Sequence, residues 1–364
     1  MWARLLPRKS RSAFTTRKGS KEMRTSWLAR LGPAVVLACS LATAQLPNAV
    51  AQPKDAPATV AYVPGNDIPT FDGGSAQTVL GYSISSPEPT SPISTLTLPL
   101  SCNSLGPVAM DSSGQLYAGC FSTSTPPLVQ IFSKGATGSA TPSRTIEMSS
   151  ASYEIAALAL DASGKLYVAS LENSSETRFA IRIFSADANG PAAPLRTVKL
   201  PGNEQLVDLA GDGEGNIYAA GTPIDHKGGP SSFVDVYSTQ SGERQRRITL
   251  SNYIYGVAVD AAMDVYATVC PDPTTCSIEE FAPGAKGTAP PINVVNLEQG
   301  GAEVGSGPVR IDATGNVFTP LTTGSLATSY GFTLYDLWQA TSTSPITIVQ
   351  TGSYEYYHSF FALN

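Results

Sequence analysis

One short motif recurs along the chain and leaves little freedom in how it can fold. It is an aspartate followed three residues later by glycine, then by an aliphatic–aromatic pair. The copies are Asp111-Ser-Ser-Gly114-Gln-Leu116-Tyr117, Asp161-Ala-Ser-Gly164-Lys-Leu166-Tyr167, Asp212-Gly-Glu-Gly215-Asn-Ile217-Tyr218 and Asp312-Ala-Thr-Gly315-Asn-Val317-Phe318. A fifth, Asp260-Ala-Ala-Met263-Asp-Val265-Tyr266, has Met in place of Gly. The aspartates are spaced by 50, 51, 48 and 52 residues, a period that belongs to repeat architectures. An alternating apolar run precedes each Asp, as in Gly256-Val257-Ala258-Val259, and another follows the Gly. The pattern is strand, tight turn, strand. Gly supplies the positive φ such a turn needs, and Asp bonds its own backbone across it. Met263 is therefore expected in a different or strained turn, with Asp264 as the candidate for the left-handed conformation.

A second marker lies further along each unit, an aromatic residue ten positions before a proline: Phe132/Pro142, Phe184/Pro194, Phe281/Pro291 and Tyr335/Pro345. Turn-rich stretches such as Lys134-Gly-Ala-Thr-Gly138 separate the two, and Arg144-Thr-Ile146 or Arg196-Thr-Val198 opens a further strand. The Asp212 unit departs, with Tyr237 and a shorter loop before Arg246-Arg247-Ile248. Each unit thus holds about four antiparallel strands. The marker also occurs upstream of the first Asp, at Tyr82/Pro92, and the chain ends on Ser359-Phe-Phe-Ala-Leu363-Asn364, which matches Tyr255-Gly-Val-Ala-Val259-Asp260. A unit split between the two termini closes a ring without a long open edge. The expected fold is all-β: a six-bladed β-propeller over residues 52–364, closed by pairing the C-terminal strand with the half-blade at Val60-Ala61-Tyr62-Val63.

On these motifs the chain, from about residue 58 to 364, resembles the NHL-repeat and senescence-marker/gluconolactonase-like six-bladed propellers, and in particular exported bacterial NHL-like proteins without an assigned activity. The resemblance implies architecture more than function, because propellers host many unrelated activities. Charged residues make up only 14% of the chain, and Gly (32) and Pro (28) are abundant. Those numbers exclude coiled coils and basic nucleic-acid modules, and no run of 18 apolar residues is present for a spanning helix.

Residues 1–51 read as an address. They carry nine basic residues and one acid, so of the chain's 23 basic and 29 acidic residues the rest has 14 and 28, net −14. That balance argues against phosphate-backbone binding. Counting from Met1 or from Met23 as the start, a basic stretch with Arg24 and Arg30, an apolar stretch from Leu31 to Ala44 and Ala49-Val50-Ala51 form the three parts of a secretory signal. The mature chain is then exported, either secreted or in the periplasm or at the cell surface, with no transmembrane anchor. Val36-Leu37-Ala38-Cys39 offers a second route, lipidation at Cys39. Four cysteines follow: Cys102, Cys120, Cys270 and Cys276. An even number in an oxidising compartment favours disulfides. Proximity suggests Cys102–Cys120 and Cys270–Cys276, although three pairings exist. A four-cysteine zinc site is the rival, without the close pairs such sites prefer.

In propellers of this resemblance, ligands and metals bind near the central channel, on the face where innermost strands begin. Counting back from each hairpin Asp places Asn103 and Leu105, Tyr153 and Glu154, Asp208, Tyr253 and Tyr255, Glu303, and Tyr357 and His358 there. The candidate ligand site is Glu154, Asp208, Tyr255, Glu303 and His358. Its three acids could take a hard cation such as calcium, the basis for a metal-dependent hydrolase or lactonase, although the lactonases' ligand pattern does not match residue by residue. Asp208 stands inside an inner strand where other units have Pro107, Ala157, Gly256 and Pro308; an uncompensated charge there is costly, and a backbone-bonding role is as good a reading as a ligand. Of the two histidines, His226 lies in a polar loop. Gly305-Ser306-Gly307 has the wrong spacing for a nucleophile elbow. Arg244, Gln245, Arg246 and Arg247 read as a solvated strand, with a partner or carboxylate site as the alternative. The tyrosine-rich end (Tyr354, Tyr356, Tyr357, Phe360, Phe361) reads as sugar or peptide binding or as core packing. No catalytic set stands out, so the leading expectation is a non-enzymatic binding or scaffold propeller for a protein, peptide or glycan.

Overall fold

The computed structural model describes residues 59–69, 75–84, 91–102, 104–121, 126–149, 152–172, 178–224, 231–272, 275–297, 304–323, 333–339, 346–350 and 361–363. The leader expected over residues 1–51, with Cys39, and also Asn103, His226, Glu303, Tyr354, Tyr356, Tyr357, His358, Phe360 and Asn364, lie outside the described residues. The chain from Ala56 to Asn364 forms one compact unit.

The fold is an all-β propeller of four-stranded antiparallel blades. The blades of Asp111, Asp161, Asp212 and Asp260 each run in simple sequence from an inner to an outer strand. Their inner strands are Ser104–Met110, Glu154–Leu160, Glu204–Gly211 and Tyr253–Val259. Each inner strand slips register against its neighbour near its middle, at Leu105/Val108, Ile155/Ala157, Leu206/Asp208 and Ile254/Gly256. Such bulges sharpen twist. In the Asp312 sheet the inner strand is broken into Val304–Ser306 and Arg310–Ile311, both paired with Val317–Thr323. Pro308 in the gap has no N–H for the ladder. A further four-stranded sheet joins the ends of the chain: Ala362–Leu363 pairs antiparallel with Val60–Pro69, Ala61 opposite Leu363.

The hairpin motif has a local physical explanation. In all five copies Asp Oδ1 accepts the backbone N–H groups of the residues two and four further on, at 2.8–2.9 Å. Oδ2 accepts the hydroxyl of the tyrosine six residues on: Tyr117 at 3.3 Å, Tyr167 at 2.8 Å, Tyr218 at 3.2 Å and Tyr266 at 3.4 Å. Phe318 has no hydroxyl, and Asn316 Nδ2 donates to Asp312 Oδ2 instead, at 2.9 Å. The turn glycines adopt φ of +79° to +88°. Met263 takes the strained alternative rather than a different turn. It occupies the same turn at φ 70°, with its N–H on Asp260 O at 3.1 Å, and Asp264 does not take the left-handed conformation. A side chain at such φ costs about 1–2 kcal/mol.

The second marker serves packing between blades. Tyr82, Phe132, Phe184, Tyr237 and Phe281 are all buried. The glycine-rich loops behind them clasp the outer strand of the preceding blade. Gly138 exchanges two backbone hydrogen bonds with Thr95 and Thr97, Gly190 with Thr145 and Glu147, and Gly287 with Arg247 and Thr249, at 2.6–2.9 Å. The shorter loop of the Asp212 blade lacks this clasp; there Arg196 Nη1 donates to Ser241 O at 3.2 Å.

Apolar clusters lie between neighbouring blades. One joins Tyr167 and Ile181 to Leu206 and Leu209; another joins Tyr218 and Val234 to Val257 and Phe281; a third joins Ala61, Val63 and Tyr82 to Phe318 and Phe361. Phe361 therefore serves packing. The disulfides are Cys102–Cys120 and Cys270–Cys276, with Cα atoms 4.9 and 4.1 Å apart. The first ties a blade's inner strand to the second strand, and the second staples a hairpin tip. No helix among the described residues is long and apolar enough to cross a membrane.

Candidate functional site

At the turn-bearing end, the last residues of the inner strands enclose a channel of about 200 Å³. Its lining residues include Met110, Leu158, Leu209, Val257 and Leu363, with one charged residue, Arg310, and polar atoms supply more of its exposed surface than apolar ones. The reason the space stays open can be read from the repeat. Two positions before the hairpin Asp, or before Asn364, stand Ala109, Ala159, Ala210, Ala258 and Ala362, and only the Asp312 unit places a long side chain there, Arg310.

Arg310 meets Asp208. Nη1 lies 2.8 Å from Asp208 Oδ2 and Nη2 lies 3.1 Å from Oδ1, a bidentate pair between residues 102 positions apart. Asp208 Oδ2 also accepts the Val257 backbone N–H at 3.0 Å. The Asp212 and Asp312 inner strands are thus bridged past the Asp260 inner strand between them. Gly256 permits the close approach: a Cβ there would sit 2.4 Å from Pro308 Cα and Val309 N. Asp208 is 1% exposed, and burying a carboxylate is tolerable when charge and hydrogen bonds compensate it. The backbone bond to Val257 fits the reading of Asp208 as a backbone-bonding acid, and its pairing with Arg310 has no local signature in the sequence.

Of the other expected site residues, Glu154 and Tyr255 lie toward the opposite end, where the inner strands begin, and Glu303 and His358 lie outside the described residues. Glu154 opens its inner strand and is exposed, beside Tyr153 at 59% exposure. Tyr255, at the bulge, is half-buried and packs against the cluster of Cys270, Cys276 and Val309; burial raises its phenol pKa. Tyr253 is half-buried. Among the described residues no three His, Cys, Asp or Glu side chains form a metal-binding group.

The basic run is a solvated strand at Arg244 and Gln245, which are exposed, but Arg246 and Arg247 are half-buried. Arg247 brackets the buried Asp235 carboxylate, Nε on Oδ1 and Nη2 on Oδ2 at 2.6 Å each, and reaches Glu204 Oε1 at 2.7 Å. It also lies 4.0 Å over the Phe233 ring. Arg244 Nη1 adds a contact to Asp235 Oδ2 at 3.1 Å, and Arg246 lies over Tyr218 at 5.5 Å. Burial by itself would lower the Arg247 pKa, but its bonds to Asp235 and Glu204 raise it. An acid two residues before the second marker, Asp235, is the signal that the run has an internal partner. The same position holds Gln130, Arg182 and Glu279; Arg182 pairs with Glu172 at 2.7 Å, and burial raises the Glu279 carboxyl pKa.

No protein-family model matches the chain, and no curated protein is similar to it. Among solved structures, a protein of unknown function from Bacteroides caccae is similar at TM-score 0.57 and 10% identity, over 84% of this chain and 99% of that one. The WD40 domain of Toxoplasma gondii coronin is similar at TM-score 0.43 and 12% identity, over 68% and 59%. Kuenenia stuttgartiensis hydrazine synthase is similar at 0.44 and 12%, over 68% and 66%. At these identities the likeness concerns the fold, and the chain is a β-propeller.

Proposed function

We propose that this chain is an exported six-bladed propeller of the NHL-like kind that binds a protein, peptide or glycan, or serves as an envelope scaffold, through the face where its inner strands begin. One observation carries the reading. On that face two large side chains on neighbouring blades are turned to solvent, Leu100 at 58% and Tyr153 at 59% exposure. An exposed tyrosine offers a rigid apolar ring with a polar tip, the kind of group that anchors peptides and sugars at low entropic cost. Glu154 and Tyr255 adjoin this face, with Glu303 and His358 proposed as further members. The two disulfides support an oxidising compartment, and pairing of the two chain ends supports a closed ring of six.

The test is a peptide-display and glycan-array screen with the purified protein, repeated with Leu100→Ser and Tyr153→Ala. A ligand retained by the native protein and lost by both variants supports the reading. Turnover in a hydrolase panel, together with one bound calcium per chain and a melt sensitive to chelator, overturns it.

A further inference from the structure

We propose that the channel at the turn-bearing end is a binding site for a small hydroxy-carboxylate, with Arg310 holding the carboxylate and the free edges of the inner strands holding the hydroxyls. This end is opposite to the face assigned above to a macromolecular partner, so either inference can fail alone.

The Arg310 guanidinium carries five N–H donors in a fixed plane. Nη1 uses both of its own, on Asp208 Oδ2 and on Val309 O, each at 2.8 Å. Nη2 uses one, on Asp208 Oδ1 at 3.1 Å. The remaining Nη2 proton and the Nε proton have no partner among the described residues, and they lie parallel along one edge of the plane. That edge matches the two oxygens of a carboxylate. Arg310 lines the channel and its side chain is 17% exposed, so the edge is within reach of a ligand. Asp208 already balances the guanidinium charge. A ligand with one negative charge therefore suits the site better than a doubly charged phosphate.

The main chain supplies the other contacts. Among the lining residues only Arg310 has a polar side chain, so the other polar atoms at the channel surface are backbone N–H and C=O groups. Each inner strand stands at the end of its sheet and is paired on one side. Along such a strand, residues alternately turn their N–H and C=O toward the neighbouring strand and away from it. The hairpin aspartates turn theirs toward the blade: the N–H of Asp111 donates to Gln115 O and that of Asp161 to Lys165 O, each at 3.1 Å. The residues just before the aspartates, Met110, Leu160, Gly211, Val259 and Ile311, therefore turn theirs away from the blade, and all five are half-buried lining residues. Val257, in the same phase as Val259, shows that direction, because its N–H leaves the sheet for Asp208 Oδ2. A wall of N–H donors and C=O acceptors suits hydroxyl groups, which both donate and accept. The volume of about 200 Å³ is the liquid share of about six or seven waters, the size of a short hydroxy acid such as glycerate.

The experiment is a ligand-observed NMR titration of the purified protein with glycerate. Propionate and glycerol serve as the carboxylate and the hydroxyls in isolation, and inorganic phosphate as the rival anion. Glycerate is expected to bind about tenfold or more tightly than any of the three. Arg310→Lys keeps a cation for Asp208 but removes the parallel edge, and is expected to weaken glycerate by about tenfold or more. A crystal structure of the native protein with glycerate keeps the test decisive if that variant folds poorly, and is expected to show the carboxylate on Nε and Nη2 of Arg310. Four results would each overturn the proposal: no glycerate binding at millimolar concentration, any of the three other probes binding as tightly as glycerate, a folded Arg310→Lys variant that binds glycerate unchanged, or glycerate seated away from Arg310.

Discussion

Asp161 and Asp208 are the same side chain in two kinds of site. Asp161 is satisfied within six residues, by Ser163, Lys165 and Tyr167. Asp208 is satisfied by a backbone N–H 49 residues away and a guanidinium 102 residues away. The first makes a turn and recurs in all five copies of the motif. The second holds three blades together and occurs once. A carboxylate in a propeller thus marks either the unit or the ring, and the distance to its donors decides which.

The sharpest way to break this comparison is Asp208→Ala. It leaves Arg310 and the Val257 N–H without their acceptor in a buried place, and is expected to cost about 3–5 kcal/mol in urea unfolding. The double variant Asp208→Leu/Arg310→Met is expected to recover most of that loss. A double variant no more stable than the single one would show that the pair does more than neutralise itself. Next comes a pair of glycines. Gly256→Ala drives a methyl into the Pro308 backbone and is expected to cost about 2–3 kcal/mol, whereas Gly164→Ala, a turn glycine at φ +79°, costs about 1–2 kcal/mol. Equal costs would remove the distinction between ring and unit.

A smaller effect should come from the hairpin carboxylate. Burial by itself would raise the Asp161 pKa, but bonds from Ser163, Tyr167 and Lys165 outweigh it and lower it. The charged form is therefore favoured in the folded state. Its stabilisation is present above the ordinary aspartate pKa of about 4 and is lost as pH falls through the lower folded value. Asp161→Ala is expected to cost about 1–2 kcal/mol at neutral pH and to flatten the acid limb of the stability profile. An unchanged acid limb would count against the local account. At high pH the tyrosines act in the opposite sense. Burial, aided by Asp161, raises Tyr167, so its contribution is present below about pH 10 and lost above it. The smallest expected change is a gain: Met263→Gly relieves a positive φ and should raise stability by up to about 1 kcal/mol.

The blade unit was legible in the sequence because its interactions are short. An Asp reaching residues two, four and six positions on leaves the same letters at the same spacing each time, and the departure at Met263 is visible as a departure even though its turn is not. The cysteine pairs were legible for the same reason. Of the candidate site, Glu154 and Tyr255 share a face by register, whereas the charged residue that lines the channel at the other end, Arg310, shows only as the exception to a column of alanines at Ala109, Ala159, Ala210, Ala258 and Ala362.

The sequence by itself therefore determined the strand–turn–strand unit, its repetition and the return of the last strand to the first. Each rests on local hydrogen bonding or on a period that a single chain displays. Only the tertiary structure decided what the unrepeated charges do. Asp235 and Arg247 face each other across one hairpin, 12 residues apart, but Asp208 and Arg310 find each other because strands far apart in the chain lie close in the folded ring, and no spacing along the chain encodes that adjacency.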